Sequence, residues 1–135
     1  MVGGMNYLLD TNIWLELLLD QEKRDEVHSF LRRTEASKLA ISDFALYSVG
    51  ILLARFKKPA LLRRFLGDIL APSGINVVRL APDQMVRLPS VIRRFGLDFD
   101  DAYQYLAAER HGLVLISFDS VFDRTDRGRK LPSQA

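Results

Sequence analysis

The stretch that most constrains the fold is Leu97 to Asp123, LDFDDAYQYLAAERHGLVLISFDSVFD. Asp98, Asp100 and Asp101 crowd the start of a segment, Ala102 to Arg110, that is rich in good helix formers. His111-Gly112 stops that helix, with Gly112 as its left-handed cap. Leu113 to Ile116 is a short apolar run of the kind that suits a strand buried in a parallel sheet. Ser117 and Asp119 follow just past its carboxyl end, the edge at which open α/β sheets bind ligands. One acid at a helix start and another at a strand end can meet there.

A third acid points to the same edge. The run Tyr7-Leu8-Leu9 ends in Asp10-Thr11-Asn12, after which Ile13 to Leu19 looks helical. Asp10 therefore also sits between a strand and a helix. The alternation continues along the chain. Asn6 to Leu9 reads as strand one, and a helix from about Asn12 to Leu19 follows, capped by Thr11 or Asn12. Asp25 to Arg33 is a second helix with Val27, Phe30 and Leu31 facing inward. Leu39 to Ile41 is strand two, and Ser42 or Asp43 caps a helix reaching Phe56. Pro59 opens the next helix at a position where proline is tolerated, and Pro72-Ser73-Gly74 is a turn. Asn76 to Leu80 is strand three, a helix runs from Pro82 to Phe95, and Gly96 ends it. Such alternation predicts a three-layer α/β/α sandwich around a parallel sheet of four or five strands, with Leu8, Leu9, Ile41, Val77, Val78, Leu115 and Ile116 on central strands.

A chain of 135 residues fits one domain, 1-135, in which 1-5 reads as an N-terminal extension and 124-135 as a basic tail with one short edge strand near Leu131. A net charge of +2 does not announce a nucleic-acid binder, so only local clusters can carry that argument. The absence of cysteine excludes disulfides and thiolate metal sites and suits a cytoplasmic protein. No apolar run approaches the roughly 18 residues of a membrane span.

Three carboxylates from distant segments suit a hard cation such as Mg²⁺ or Mn²⁺, which takes oxygen ligands and relieves the repulsion that raises crowded carboxylate pKa values. Each acid also has a plainer role. Asp10 can cap the first helix, Asp98 is spaced from Asp101 as a capping box, Asp100 can face solvent, and Asp119 and Ser117 can serve a turn. The acids Asp10, Asp101 and Asp119 are the ones whose positions favour the site.

The pieces LLDTNIWLE and DDAYQYLAAERHGLVLISFD, with the α/β pattern between them, resemble the PIN domain family of metal-dependent ribonucleases. The resemblance implies that Asp10, Asp101 and Asp119 are the catalytic and metal-holding acids for Mg²⁺ or Mn²⁺, supported by Thr11, Asn12 and Ser117, with RNA as substrate. It also implies a toxin of the VapC kind, neutralised by an antitoxin protein. The apolar first helix and the Pro59 helix suggest a homodimer. Arg124, Arg127, Arg129 and Lys130 follow Asp119 directly and are placed to hold RNA phosphates. One departure stands out: within SDFALYSVG, Ser48 occupies the place where such nucleases usually carry a glutamate. Asp43 or Glu16 can supply the missing charge, or the chain is a degenerate domain that binds RNA or protein without cutting. A receiver-like phosphotransfer domain is the weaker alternative, because no suitably placed lysine follows a late strand and no Asp-Asp pair ends the first.

Overall fold

The computed structural model describes residues 4–72 and 74–135. Residues 1–3 of the extension expected at 1-5, and Ser73 of the expected turn, lie outside the described residues, although Gly74 N donates to Ala71 O at 2.8 Å, as a tight turn requires. Met5, the last residue of that expected extension, packs against the core.

Four parallel strands form the sheet: β1 (Tyr7–Leu9), β2 (Leu39–Ser42), β3 (Asn76–Val78) and β4 (Val114–Ile116), in the order β3-β2-β1-β4. Tyr7 pairs with Leu39 on one side and Val114 on the other. The helices are α1 (Thr11–Leu18), α2 (Arg24–Arg32), α3 (Asp43–Arg55), α4 (Pro59–Leu70), α5 (Leu88–Phe95) and α6 (Phe99–His111).

Two hydrophobic layers explain the sandwich. Successive strand residues point to opposite faces. Leu8, Ala40 and Leu115 accordingly join the cluster of α5 and α6, with Val91, Leu106 and Ala107. Leu9, Ile41 and Ile116 join the opposite cluster, with Ile13, Phe30, Val49 and Phe65 from α1 to α4. Strands buried on both faces need apolar residues at nearly every position, which is why β1, β2 and β4 read as continuous apolar runs rather than alternating ones.

The expected elements are present with shifted ends. The segment expected as one helix from Pro82 begins instead as a 3-10 turn over Gln84–Arg87, and the α-helix starts at Leu88 with Pro89 in its first turn. Pro89 lacks an N–H and is comfortable only there. Gly96 and Gly112 both take φ of 65°, the left-handed conformation that closes α5 and α6. Val77, Val78, Leu115 and Ile116 are not on central strands, because β3 and β4 are the outer strands of the sheet; Val78, Leu115 and Ile116 are nevertheless buried under the helices, whereas Val77 is 48% exposed. The tail is tied down. Lys130 bridges Ile116 in parallel, Pro132–Gln134 forms a 3-10 turn, and Arg33 Nη2 donates to Pro132 O at 2.6 Å.

Candidate metal centre

The carboxyl ends of β1 and β4 lie side by side, so Asp10 and Ser117 meet although 107 residues separate them. Asp10 occupies the N-cap of α1, and its Oδ1 accepts from Thr11 N at 2.9 Å. Thr11 and Asn12 are therefore not the cap residues. Gln104 Nε2 donates to the same oxygen at 3.0 Å. Ser117 Oγ donates to Oδ2 at 2.7 Å, and Asn12 Nδ2 reaches it at 3.4 Å. Ser117 Oγ in turn accepts from Asn12 Nδ2 at 3.2 Å and from Asp119 N at 3.0 Å, and Phe118 N donates to Asn12 Oδ1 at 3.2 Å. Thr11, Asn12 and Ser117 thus set the geometry around Asp10.

Asp10, Asp101 and Asp119 line one cleft of about 320 Å³, together with Ser48, Gln104 and Asp100. Phe44, Leu15 and Leu52 give it an apolar wall. Among the described residues no lysine or arginine lines it, so none of them offsets its carboxylates. The electrostatic cost is visible. Burial is the main cause that pushes the Asp10 carboxyl above its usual range, Asp119 adds to it, and hydrogen bonds from Gln104, Ser117 and Thr11 oppose it. Asp101 is pushed up to about 6, first by burial and then by Asp100, Asp119, Asp10 and Asp98. Carboxylates that repel one another in a cleft, with Asp10 buried, Asp101 half-buried and Asp119 exposed, form a donor set of oxygen atoms that a divalent cation fits.

Among the described residues, three carboxylates offer oxygens within 4.8 Å of one another, Asp98, Asp100 and Asp101, and the last two of these line the cleft. Asp98 holds the N-cap position of α6, but its side chain makes no capping hydrogen bond, so the expected capping box is absent.

Ser48 does line the cleft, but neither proposed substitute for it does. Asp43 is the first residue of α3, and its Oδ1 accepts from Phe44 N at 2.8 Å and from Tyr103 Oη at 2.7 Å. It lines a neighbouring groove with Tyr47, Val77 and Phe99. Burial and the bond to Asp43 together push the Tyr103 hydroxyl up to about 12, which keeps it a donor to Asp43. Glu16 Oε1 accepts from Lys23 N at 2.9 Å, just ahead of α2.

The basic tail is likewise not brought to the acids. Arg124 donates to Gly96 O, Arg127 to Leu113 O, and Arg129 to Ser117 O and to both oxygens of Asp123. These guanidiniums satisfy carbonyls at chain turns and at the sheet edge. Arg127, Arg129 and Lys130 line a separate groove with Tyr105 and Asp126.

Gln104 escaped the sequence reading. It is 2% exposed and lies three residues after Asp101, on the same face of α6. A lone amide inside the wholly buried run Ala102 to Ala108 is the signal that could have found it.

A family model described as the PIN domain matches residues 7–128. No curated protein matches the chain by sequence. A solved toxin-antitoxin complex from Klebsiella pneumoniae is similar at 21% identity and a TM-score of 0.74, over 96% of this chain and 100% of that one. FitAcB from Neisseria gonorrhoeae is similar at 21% identity and a TM-score of 0.73, over 93% and 97%. VapC20 from Mycobacterium tuberculosis, described as a sarcin-ricin loop cleaving toxin, is similar at 16% identity and a TM-score of 0.70, over 84% and 90%.

Proposed function

The chain belongs to the PIN domain family, and from that membership we propose that it is a single-domain, divalent-metal-dependent endoribonuclease, the toxin of a toxin–antitoxin pair. PIN domains are in general metal-dependent nucleases. The observation that carries the reading is the uncompensated cleft: Asp10, Asp101 and Asp119 converge from three segments with no basic residue among them.

Asp10, Asp101 and Asp119 would hold Mg²⁺ or Mn²⁺. Such an ion supplies Lewis-acid activation of water and offsets the charge of a scissile phosphate. Asp10 is pinned through both oxygens, and of its partners Asn12 is the longest and weakest, so the lone pair that Asn12 holds on Oδ2 is the one a cation would take. With the tail arginines tied to carbonyls, Arg124, Arg127, Arg129 and Lys130 serve RNA only as a peripheral basic surface.

An antitoxin partner accords with the similarity to the toxin–antitoxin complex from Klebsiella pneumoniae. The apolar residues of α1 are buried or half-buried. Tyr47, Val77 and Phe99 are exposed and line one groove of about 490 Å³, so that face is the one we assign to a homodimer. Among the described residues, no helix is long and apolar enough to cross a membrane.

The second reading, a non-catalytic RNA- or protein-binding module, rests on Ser48, which lines the cleft with a neutral hydroxyl. Mn²⁺-dependent cleavage of a mixed RNA pool, with a chelator control and Asp10→Asn as the blank, separates the two. The nuclease reading expects cleavage that both the chelator and Asp10→Asn abolish. Equal products from native protein and blank would favour the binding module.

A further inference from the structure

Asp10 accepts from the amide of its own helix, from the Ser117 hydroxyl at the end of β4, more weakly from Asn12, and from a side chain that nothing in the catalytic pattern calls for, Gln104. The orientation of Gln104 is forced from outside the cleft. Ser42 is fully buried at the N-cap of α3, and its Oγ accepts from Ala45 N at 3.0 Å. With that backbone N–H already directed at the oxygen, the single hydroxyl proton goes to Gln104 Oε1, 2.5 Å away. Once Oε1 faces Ser42, the Nε2 end of the amide faces Asp10 Oδ1 at 3.0 Å. The reverse orientation would set an amide oxygen against a carboxylate oxygen in a buried place, two acceptors with no proton between them. Proton direction therefore runs one way, from the α3 cap through the amide to the acid.

We propose that Gln104 is the positioning residue of this cleft: the Ser42–Gln104–Asp10 relay fixes the Asp10 carboxylate and its separation from Asp101 for cation binding. The proposal rests on the metal-dependent reading above, since the cation is the same one. Two features favour positioning over simple core satisfaction. Gln104 lies one turn after Asp101 on α6, so a single rigid helix carries one acid and the donor that holds the other. The donor is also neutral. A lysine or arginine could hold Asp10 equally well, but would cancel the charge that attracts a cation; an amide pins the carboxylate and leaves its negative charge intact. Outer-shell partners of this sort commonly change metal affinity by about 10- to 100-fold when removed.

The test is Mn²⁺ titration calorimetry on the purified full chain, with folding checked by circular dichroism. Gln104→Met keeps the length of the side chain and removes both hydrogen bonds. It is expected to bind Mn²⁺ at least about tenfold more weakly than native protein, while Asp10→Asn loses binding. Ser42→Ala, which frees the amide to turn, is expected to show a smaller loss. Adding it to Gln104→Met is expected to weaken binding no further, because the two act through one chain of bonds. Should Gln104→Met fail to fold, Ser42→Ala alone decides, by weakened or native Mn²⁺ affinity. Folded Gln104→Met with native affinity, or additive losses in the double variant, would overturn the relay while leaving the metal site standing. Native protein that binds Mn²⁺ no better than Asp10→Asn would overturn the metal reading and the relay with it.

Discussion

Replacing Asp101 by asparagine is expected to stabilise the protein when divalent cations are removed. Burial, followed by Asp100, Asp119, Asp10 and Asp98, raises the Asp101 carboxyl from 3.8 to about 6. Between those two values the native state holds a proton that the unfolded chain has released. Stability therefore falls as pH rises through that window and stays low above it. A shift of about two units corresponds to about 3 kcal/mol. Asp101 is partly open to water, and screening there reduces the expected cost to about 1 kcal/mol. The asparagine side chain is neutral throughout, so the substitution should recover about 1 kcal/mol at pH 7.5, worth about 4 °C in Tm for a chain of this size, and almost nothing near pH 4. Urea unfolding with a chelator at both pH values measures the difference. Added Mn²⁺ should invert the order at pH 7.5, because binding stabilises the native chain by mass action and the variant less. A variant no more stable than native at pH 7.5, or one with the same gain at pH 4, would refute the claim that crowded charge is stored in the cleft.

Ser48→Glu returns a carboxylate to the cleft and should tighten Mn²⁺ binding by about tenfold or more, read by calorimetry; weaker binding would show that the position does not face the cation. Asp43→Asn should leave Mn²⁺ affinity and RNA cleavage unchanged, since Asp43 serves Tyr103 and a different groove; loss of cleavage in folded protein would contradict this placement. Leu115→Ala, at a site 4% exposed between β1 and the α6 layer, should cost roughly 2–5 kcal/mol in denaturant unfolding, and a cost near zero would remove Leu115 from the core.

The parallel sheet was legible because strands buried on both sides must be apolar throughout, and Leu8-Leu9, Ala40-Ile41 and Leu115-Ile116 each divide between the two layers. Gly96 and Gly112 were legible for a steric reason, the left-handed closure of a helix. The convergence of Asp10, Asp101 and Asp119 on one cleft followed from their places at strand ends and at the start of α6. What did not follow was how side chains spend their hydrogen bonds. Asp43 is adjacent in sequence to the cleft residue Phe44, yet turns to Tyr103, a partner 60 residues away. The tail arginines follow Asp119 directly, yet are drawn to unsatisfied carbonyls at Gly96, Leu113 and Ser117. Gln104 is silent in sequence because its meaning depends on Ser42 and Asp10, 62 and 94 residues away. Edge position is equally non-local: a valine such as Val77 suits a central strand as well, and only the sheet order makes it exposed.

The pairing of β1 with β4 has a kinetic consequence. Tyr7 and Val114 are neighbours in the sheet, and the loop between them is nearly the whole chain, so this contact carries a large closure entropy and belongs among the slow, late steps of folding. On a ribosome, Asp10 is made 107 residues before Ser117, and Asp119 follows Ser117. A nascent chain can order β1, β2 and their helices while the acidic cleft still lacks one wall. For a chain whose proposed activity would damage the RNA of its own cell, that order of assembly delays the completed site until synthesis of the strand that closes it.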